Sequence, residues 1–277
     1  MCPEFFHIGP LAIRAYGVTL SLSFFIGLFL VHREARVLRL DPERAVNFAF
    51  ILIIFGVIGA RLGYVAYHWS EFAHDLLAII NPFNSGVYFG IAGLNLQGGF
   101  VFAFVAGCIY LWRKKLPWRA SLDAVVPAVA FGIFLTRIGC FLNGCCFGTP
   151  TDSFLGVQFP SDSPPWYVFG DAHLHPTQLY SSGYGLLLMA LLMWLNRRPH
   201  GDGLTVGVFF MVEAVFRFAI EFVRYYEPAM WMESAGLHVT FNQIVAATLF
   251  ALGIALVVLS RRSPRSIRRP EITLTSV

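Results

Sequence analysis

Apolar residues run along the chain in stretches of about twenty, the length a helix needs to cross a bilayer. Seven such stretches occur, at about 11–31, 45–68, 87–112, 120–139, 178–196, 203–223 and 239–259. Glycines and polar residues interrupt the second, third and sixth, which blurs their ends. Between the fourth and fifth lies a segment of about 38 residues, 140–177, rich in Pro, Gly and Ser. A connection of that length is uncommon unless it carries function or is disordered. Here it predicts irregular structure with short strands or helices. No internal repeat and no low-complexity tract is present.

Composition agrees with a membrane setting. Of 277 residues, 57% are hydrophobic and 13% charged, against about 45–50% and about 25% in soluble domains. An ordinary cytosolic enzyme and a disordered chain are excluded. A nucleic-acid binder is disfavoured despite the formal charge of +4, since a basic footprint needs a solvated face. No basic residue precedes Arg14 and no apolar run precedes Cys2. Neither a cleaved signal peptide nor a lipoprotein precursor is therefore expected.

Orientation follows from the basic residues. Fifteen of the 20 Lys and Arg fall in the first, third and fifth connections and the tail, from Arg33 through Arg119 and Arg198 to Arg269. Segments 69–86 and 140–177 have none. The expected protein is an all-α integral membrane protein of seven transmembrane helices. Its N-terminus is outside, its C-terminus cytoplasmic, and the long fourth loop forms a periplasmic head. One catalytic domain is expected over 1–260, followed by a basic tail, 261–277, that touches anionic headgroups.

Apart from Arg224 in the sixth connection, four arginines remain, all inside apolar stretches: Arg14, Arg61, Arg137 and Arg217. A mid-bilayer Arg costs roughly 2.5–3.5 kcal/mol on insertion scales. In the expected topology all four lie toward the outer face. Tyr16, Asn95, Gln97, Asn143, His175, Gln178, Glu213, Glu221, Asn242 and Gln243 map to the same depth. For Arg14 and Arg61, snorkelling explains the position equally well, and Arg61 could also pair with a carboxylate. Glu213, Arg217, Glu221 and Arg224 share one helix face, which should turn inward, with Glu221 orienting Arg217. Guanidinium groups grip phosphate in bidentate fashion, and the phosphates at this depth belong to phospholipids. The residues point to a site that binds, and cleaves, a phospholipid from the outer side.

At these residues the chain resembles the bacterial prolipoprotein diacylglyceryl transferases. The matching segments are IRAYG at 13–17, GARLGYV at 59–65, QGGF at 97–100, RIGCFLNGCCFG at 137–148, HPTQLY at 175–180 and RFAIEFVR at 217–224. The resemblance implies transfer of a diacylglyceryl group from phosphatidylglycerol to the thiol of a prolipoprotein's lipobox cysteine. Glycerol phosphate leaves, and no cofactor or metal takes part. It implies that Arg137 holds the lipid phosphate and that Arg217 is the second essential arginine. Tyr16, Asn143, Gly98, Gly99 and Gly148 match further functional positions, and His175 and Gln178 match the motif entering the fifth span. Arg61, Glu221, Arg224 and Gln243 complete the expected substrate-binding set. Gly98 and Gly99 would let a headgroup approach the backbone. The implied enzyme sits in the cytoplasmic (inner) membrane as a monomer, with its site toward the outer leaflet.

The chain departs from the family pattern in four places. Gln97 stands where the family commonly has His, and Gln cannot take a proton from a thiol. Cys140 replaces an Asn, Cys145 an acid, and Glu213 a Tyr. Glu213, four residues before Arg217, is a candidate replacement base. These changes leave room for a divergent paralogue with another acceptor, or for a non-catalytic anionic-lipid transporter. Cys140, Cys145 and Cys146, with His173 and His175 nearby in the loop, read first as small packed residues, next as a disulfide from Cys140 to one of the other two, and last as a metal site, whose spacing is not a standard one.

Overall fold

The computed structural model describes residues 4–8, 11–73, 95–226, 231–234 and 237–261. Long helices dominate it: α1 (Ala15–Val37), α2 (Pro42–Tyr67), α4 (Leu96–Arg113), α5 (Trp118–Asn143), α7 (Thr177–Asn196), α8 (Leu204–Ile220) and α9 (Phe241–Arg261). Five of them, α1, α2, α5, α7 and α9, are long and apolar enough to cross a membrane. Large apolar side chains such as Phe25, Phe29, Phe104, Leu187 and Phe218 stand exposed on the outer faces of the long helices. A water-soluble monomer rarely shows so much apolar surface, so the chain is a multi-pass membrane protein.

Short elements gather at one end of the bundle. They are the hairpin β1 (Glu4–Ile8)–β2 (Leu11–Arg14), the one-turn α3 (Trp69–Phe72), and β3 (Val157–Gln158), α6 (Pro164–Phe169) and β4 (His173–Leu174) in the long connection. The hairpin β5 (Trp231–Ser234)–β6 (Leu237–Thr240) completes the set. All three strand pairs are antiparallel. At the opposite end the connections are short, as at 38–41, 114–117 and 197–203.

The helices differ from the apolar stretches at several ends. Residues 11–14 form a strand paired with β1, with Arg14 opposite Glu4, so the first helix starts at Ala15 and runs on to Val37. The third helix starts at Leu96, because Asn95 caps it by accepting from the amides of Gln97 (2.8 Å) and Gly98 (3.3 Å). The remainder of that stretch, 87–94, lies outside the described residues, as does the tail beyond Arg261. The sixth helix ends at Ile220 and gives way to a turn, and the seventh begins at Phe241, directly after β6. At the other end of α2, Asp41 caps Glu43 and Arg44 with Pro42 in the first turn.

The core is built from helix pairs: α1 on α5 and α2, α2 on α4, α5 on α7, and α8 on α9, with α8 also against α5 and α7. Helices of a membrane bundle approach closely through small residues. A Cβ on Gly63 would lie 2.9 Å from Cα of Gly98, and one on Gly99 would lie 2.8 Å from the Gly56 carbonyl oxygen. Gly98 and Gly99 therefore serve the α2–α4 contact, a reason for glycine here that needs no headgroup.

A buried polar network ties the short-loop end together. Pro127 lies inside α5 and has no amide hydrogen, which frees the carbonyl of Asp123 one turn earlier. Asn196 of α7 fills the gap by donating Nδ2 to that oxygen at 3.1 Å. The same nitrogen donates to Glu34 of α1 at 3.0 Å, and Thr205 of α8 donates to Asn196 Oδ1 at 2.7 Å. The Asp123 carboxylate accepts from the amides of Gly203 (2.7 Å) and Val206 (2.8 Å), capping α8 from a different helix. Four helices are pinned by groups that are each fully buried and bonded.

Candidate functional site

Arg137, Arg217 and Arg224 converge at the end where the short elements gather. Gly139 brings α1 to α5: its missing Cβ would stand 3.3 Å from Cα of Tyr16 and would collide with the Thr19 hydroxyl. Tyr16 and Arg137, two residues before Gly139 on α5, are thereby brought within electrostatic range of each other. Arg137 also acts on Cys146 and on Arg217 of α8. Among the described residues no carboxylate pairs with Arg137.

Arg217 is held differently. Its Nε lies 3.3 Å from Oε1 of Glu221, whose side chain is 1% exposed. Tyr226 donates to the same Oε1 at 2.6 Å, and Asn242 at the start of α9 donates to the Tyr226 oxygen at 3.1 Å. Burial, reinforced by the bond to Glu221, pushes the Tyr226 hydroxyl above the usual tyrosine range, so it stays a donor. Arg224 places its guanidinium 5.1 Å from the centre of the Tyr226 ring. Its Nε is buried without a hydrogen-bond acceptor among the described residues, and its charge acts on Arg217 and Cys146. Among the described residues three guanidiniums thus share one neighbourhood with one carboxylate between them. Such an excess of positive charge away from water favours a bound anion.

The long connection is stitched across this cluster. The amide of Gly148 donates to the His175 carbonyl at 3.0 Å, and that of Thr149 donates to the Val223 carbonyl at 2.9 Å. Gly148 pairs with Arg224 as an isolated β-bridge. A Cβ at Gly148 would lie 2.5 Å from the Val223 oxygen and 2.7 Å from the His175 oxygen, so only glycine lets the three segments meet. Gln178 is fully buried and donates Nε2 to the Cys145 carbonyl at 2.8 Å, while its Oε1 has no hydrogen-bond partner among the described residues. Thr177 donates to the Cys146 carbonyl at 2.7 Å. His175 Nδ1 lies 3.3 Å from the Tyr180 hydroxyl. Asn143 lies within hydrogen-bonding reach of the Cys145 thiol.

Other expected site residues stand apart from this cluster or have separate partners. Arg61 lies over the rings of Phe72 (5.2 Å) and Tyr64 (5.9 Å), at the far end of α2. Glu213 accepts the Tyr184 hydroxyl at 2.9 Å on the seam between α7 and α8. Gln97 is exposed on the first turn of α4. At the head of α9 it is Asn242, beside Gln243, that reaches Tyr226. Sequence reasoning missed Tyr226, which had no charge to mark it; its spacing of five from Glu221 was the only signal. A cleft of about 680 Å³ lies on the α2–α4 face, lined by residues such as Phe55, Val101 and Arg113, and shares no residue with the cluster of Arg137, Arg217 and Arg224.

Comparison with known proteins shows the family of the chain. The family model described as prolipoprotein diacylglyceryl transferase matches residues 3–259. A phosphatidylglycerol–prolipoprotein diacylglyceryl transferase of Clostridium tetani is 34% identical over 81% of this chain and 86% of that protein. Proteins of the same name from Synechococcus elongatus and Idiomarina loihiensis are 30% and 31% identical. The first match spans 98% of this chain and 92% of that protein, and the second 94% and 93%. The chain belongs to the prolipoprotein diacylglyceryl transferase family.

Proposed function

We propose that this protein transfers the diacylglyceryl group of phosphatidylglycerol to the thiol of the lipobox cysteine of a prolipoprotein, the first step of lipoprotein maturation. The observation that carries the reading is the arginine cluster: among the described residues Arg137 has no carboxylate and the buried Arg224 Nε no acceptor, while Arg217 is fixed by Glu221. The lipid's phosphodiester is the anion that fits it. Arg137 and Arg224 grip the phosphate oxygens, and Arg217 neutralises charge as the phosphate departs. The thiolate of the acceptor cysteine attacks the glycerol carbon bearing the phosphate ester. The carbon–oxygen bond breaks as the carbon–sulfur bond forms, and glycerol phosphate leaves. Tyr16 and Asn143 line the same site, and Gly148, His175 and Gln178 hold the connection that closes over it.

In this reading all seven long helices cross the bacterial inner membrane, with the N-terminus outside and the C-terminus in the cytoplasm. The lysines and arginines at the short-loop end support that orientation. The arginine cluster then faces the outer leaflet, beneath a periplasmic head built from 140–177. One bundle suffices, and the protein acts as a monomer.

The test uses purified protein in phosphatidylglycerol vesicles with a lipobox peptide, followed by mass spectrometry. A diacylglyceryl mass increase on the peptide, absent with Arg137→Ala, is expected. No increase, with lipid still bound, would leave a lipid-handling protein instead.

A further inference from the structure

Three thiols meet beside the arginines. Two do so for a reason local to the helix end. Gly144, with φ of 73°, ends α5; its amide donates to the Phe141 carbonyl and that of Cys145 to the Cys140 carbonyl. This pair of bonds is the Schellman cap, which brings the side chains flanking it together, here Cys140 and Cys145. Nothing in the cap requires a third. Yet Cys146 also adopts a left-handed backbone, with φ of 61°, a conformation that costs a side-chain-bearing residue energy. Its carbonyl is bonded by Thr177 and that of Cys145 by Gln178. The outcome is that the three Sγ atoms lie within 4.8 Å of one another. A residue kept in strain at a site is a pointer to function.

We propose that Cys140, Cys145 and Cys146 bind a thiophilic d10 cation, Zn2+, whose open fourth position takes the incoming substrate thiol. The proposal rests on the transferase reading above and replaces its metal-free expectation. A tetrahedral zinc with sulfur ligands at about 2.3 Å sets the sulfurs about 3.8 Å apart, within reach of the present cluster. Three thiolates and Zn2+ carry one net negative charge; set with Glu221 against the three guanidiniums of Arg137, Arg217 and Arg224, it leaves one positive charge for the lipid phosphate. A two-thiol disulfide would use only the capped pair and leave the strain at Cys146 without purpose.

The site answers a chemical need. Gln97 cannot accept a proton, and Glu213 is engaged by Tyr184. A thiol that ligates zinc gives up its proton outright. The enzyme's own thiols release theirs to solvent when the metal binds. The substrate thiol does the same on taking the fourth position. Its sulfur lone pair then forms the bond to the glycerol carbon as the phosphate oxygen departs with the electrons of the broken bond. No oxidant or reductant is involved.

The experiment loads full-length purified protein with Zn2+ or, as a spectroscopic stand-in, Co2+, and removes excess ion by dialysis. About one ion per chain and a thiolate-to-cobalt charge-transfer band are expected. Both should vanish in Cys145→Ser and in Cys146→Gly, and persist in Cys108→Ser. Cys146→Gly suits the left-handed backbone, so its loss of metal would not reflect misfolding. Stripping the metal should slow transfer to the lipobox peptide by about 10²-fold or more, restored by Zn2+. The proposal is overturned by a missing band, by a stripped protein that transfers at full rate, or by a disulfide among the three thiols in protein taken from membranes. If no metal state transfers at all, the transferase reading fails and thiol activation with it, while the cobalt band separately decides the metal site.

Discussion

Glu221 stands 3.3 Å from Nε of Arg217 and is itself almost fully buried. An arginine so close to a carboxylate is fixed in direction, and Tyr226 fixes the carboxylate in turn at 2.6 Å. Glu221→Gln keeps the shape but loses the charge, so Arg217 is free to swing. A misplacement of about 1 Å at a reacting centre can cost about 10²-fold. Transfer to a lipobox peptide should fall by that order, with the apparent KM for phosphatidylglycerol changing far less. A large rise in KM with unchanged kcat would instead make Glu221 a lipid-binding group.

Arg137 has no such partner among the described residues, which suits a group that waits for its anion. Its planar fork matches two phosphate oxygens, while lysine offers one point charge. Arg137→Lys should therefore behave much like Arg137→Ala, each lowering turnover by about 10²–10³-fold. Steady-state assays in phosphatidylglycerol vesicles decide this. Lysine retaining most of the activity would show that charge alone matters at this position.

Asp123 tests the opposite end of the molecule. It caps α8 from α5 through the amides of Gly203 and Val206. Removing a cap costs about 0.5–2 kcal/mol, and the buried amides left behind add to that. Asp123→Ala should lower the thermal midpoint in detergent, while the surviving folded protein transfers at close to the normal rate. A full loss of turnover without a change in midpoint would place Asp123 in the catalytic path.

The helices and the arginine layer were legible because each obeys a local rule. Twenty apolar residues make a span, and a charge within one needs a partner or a ligand. Arg137, Arg217 and Glu221 were found that way, and Arg224 by its helical spacing from Glu221. The network of Glu34, Asp123, Asn196 and Thr205 was not, since Asp123 and Val206 are eighty-three residues apart in sequence and no spacing announces them. Residues 11–14 read as helix because they are apolar, although they pair with β1. Gly98 and Gly99 were read toward a ligand, and their α2 partners emerged only with the packing. Tertiary contacts between distant apolar or small residues leave no local signature.

Gly148 provides the last test, because three segments meet at its missing side chain. A methyl group there would press on the backbone oxygens of Val223 and His175 at 2.5 and 2.7 Å. Neither is the end of a flexible side chain, so the connection must move. Overpacking of this kind costs typically about 1–3 kcal/mol. The shift would also break the bridge to Arg224, which carries one of the three guanidiniums. Gly148→Ala should therefore lower both the thermal midpoint and the transfer rate. The arginines themselves remain, so lipid binding should fall less than turnover. Vesicle binding and peptide mass spectrometry on the same preparation separate the two effects, and normal turnover in Gly148→Ala would show that the connection can relax without disturbing Arg224.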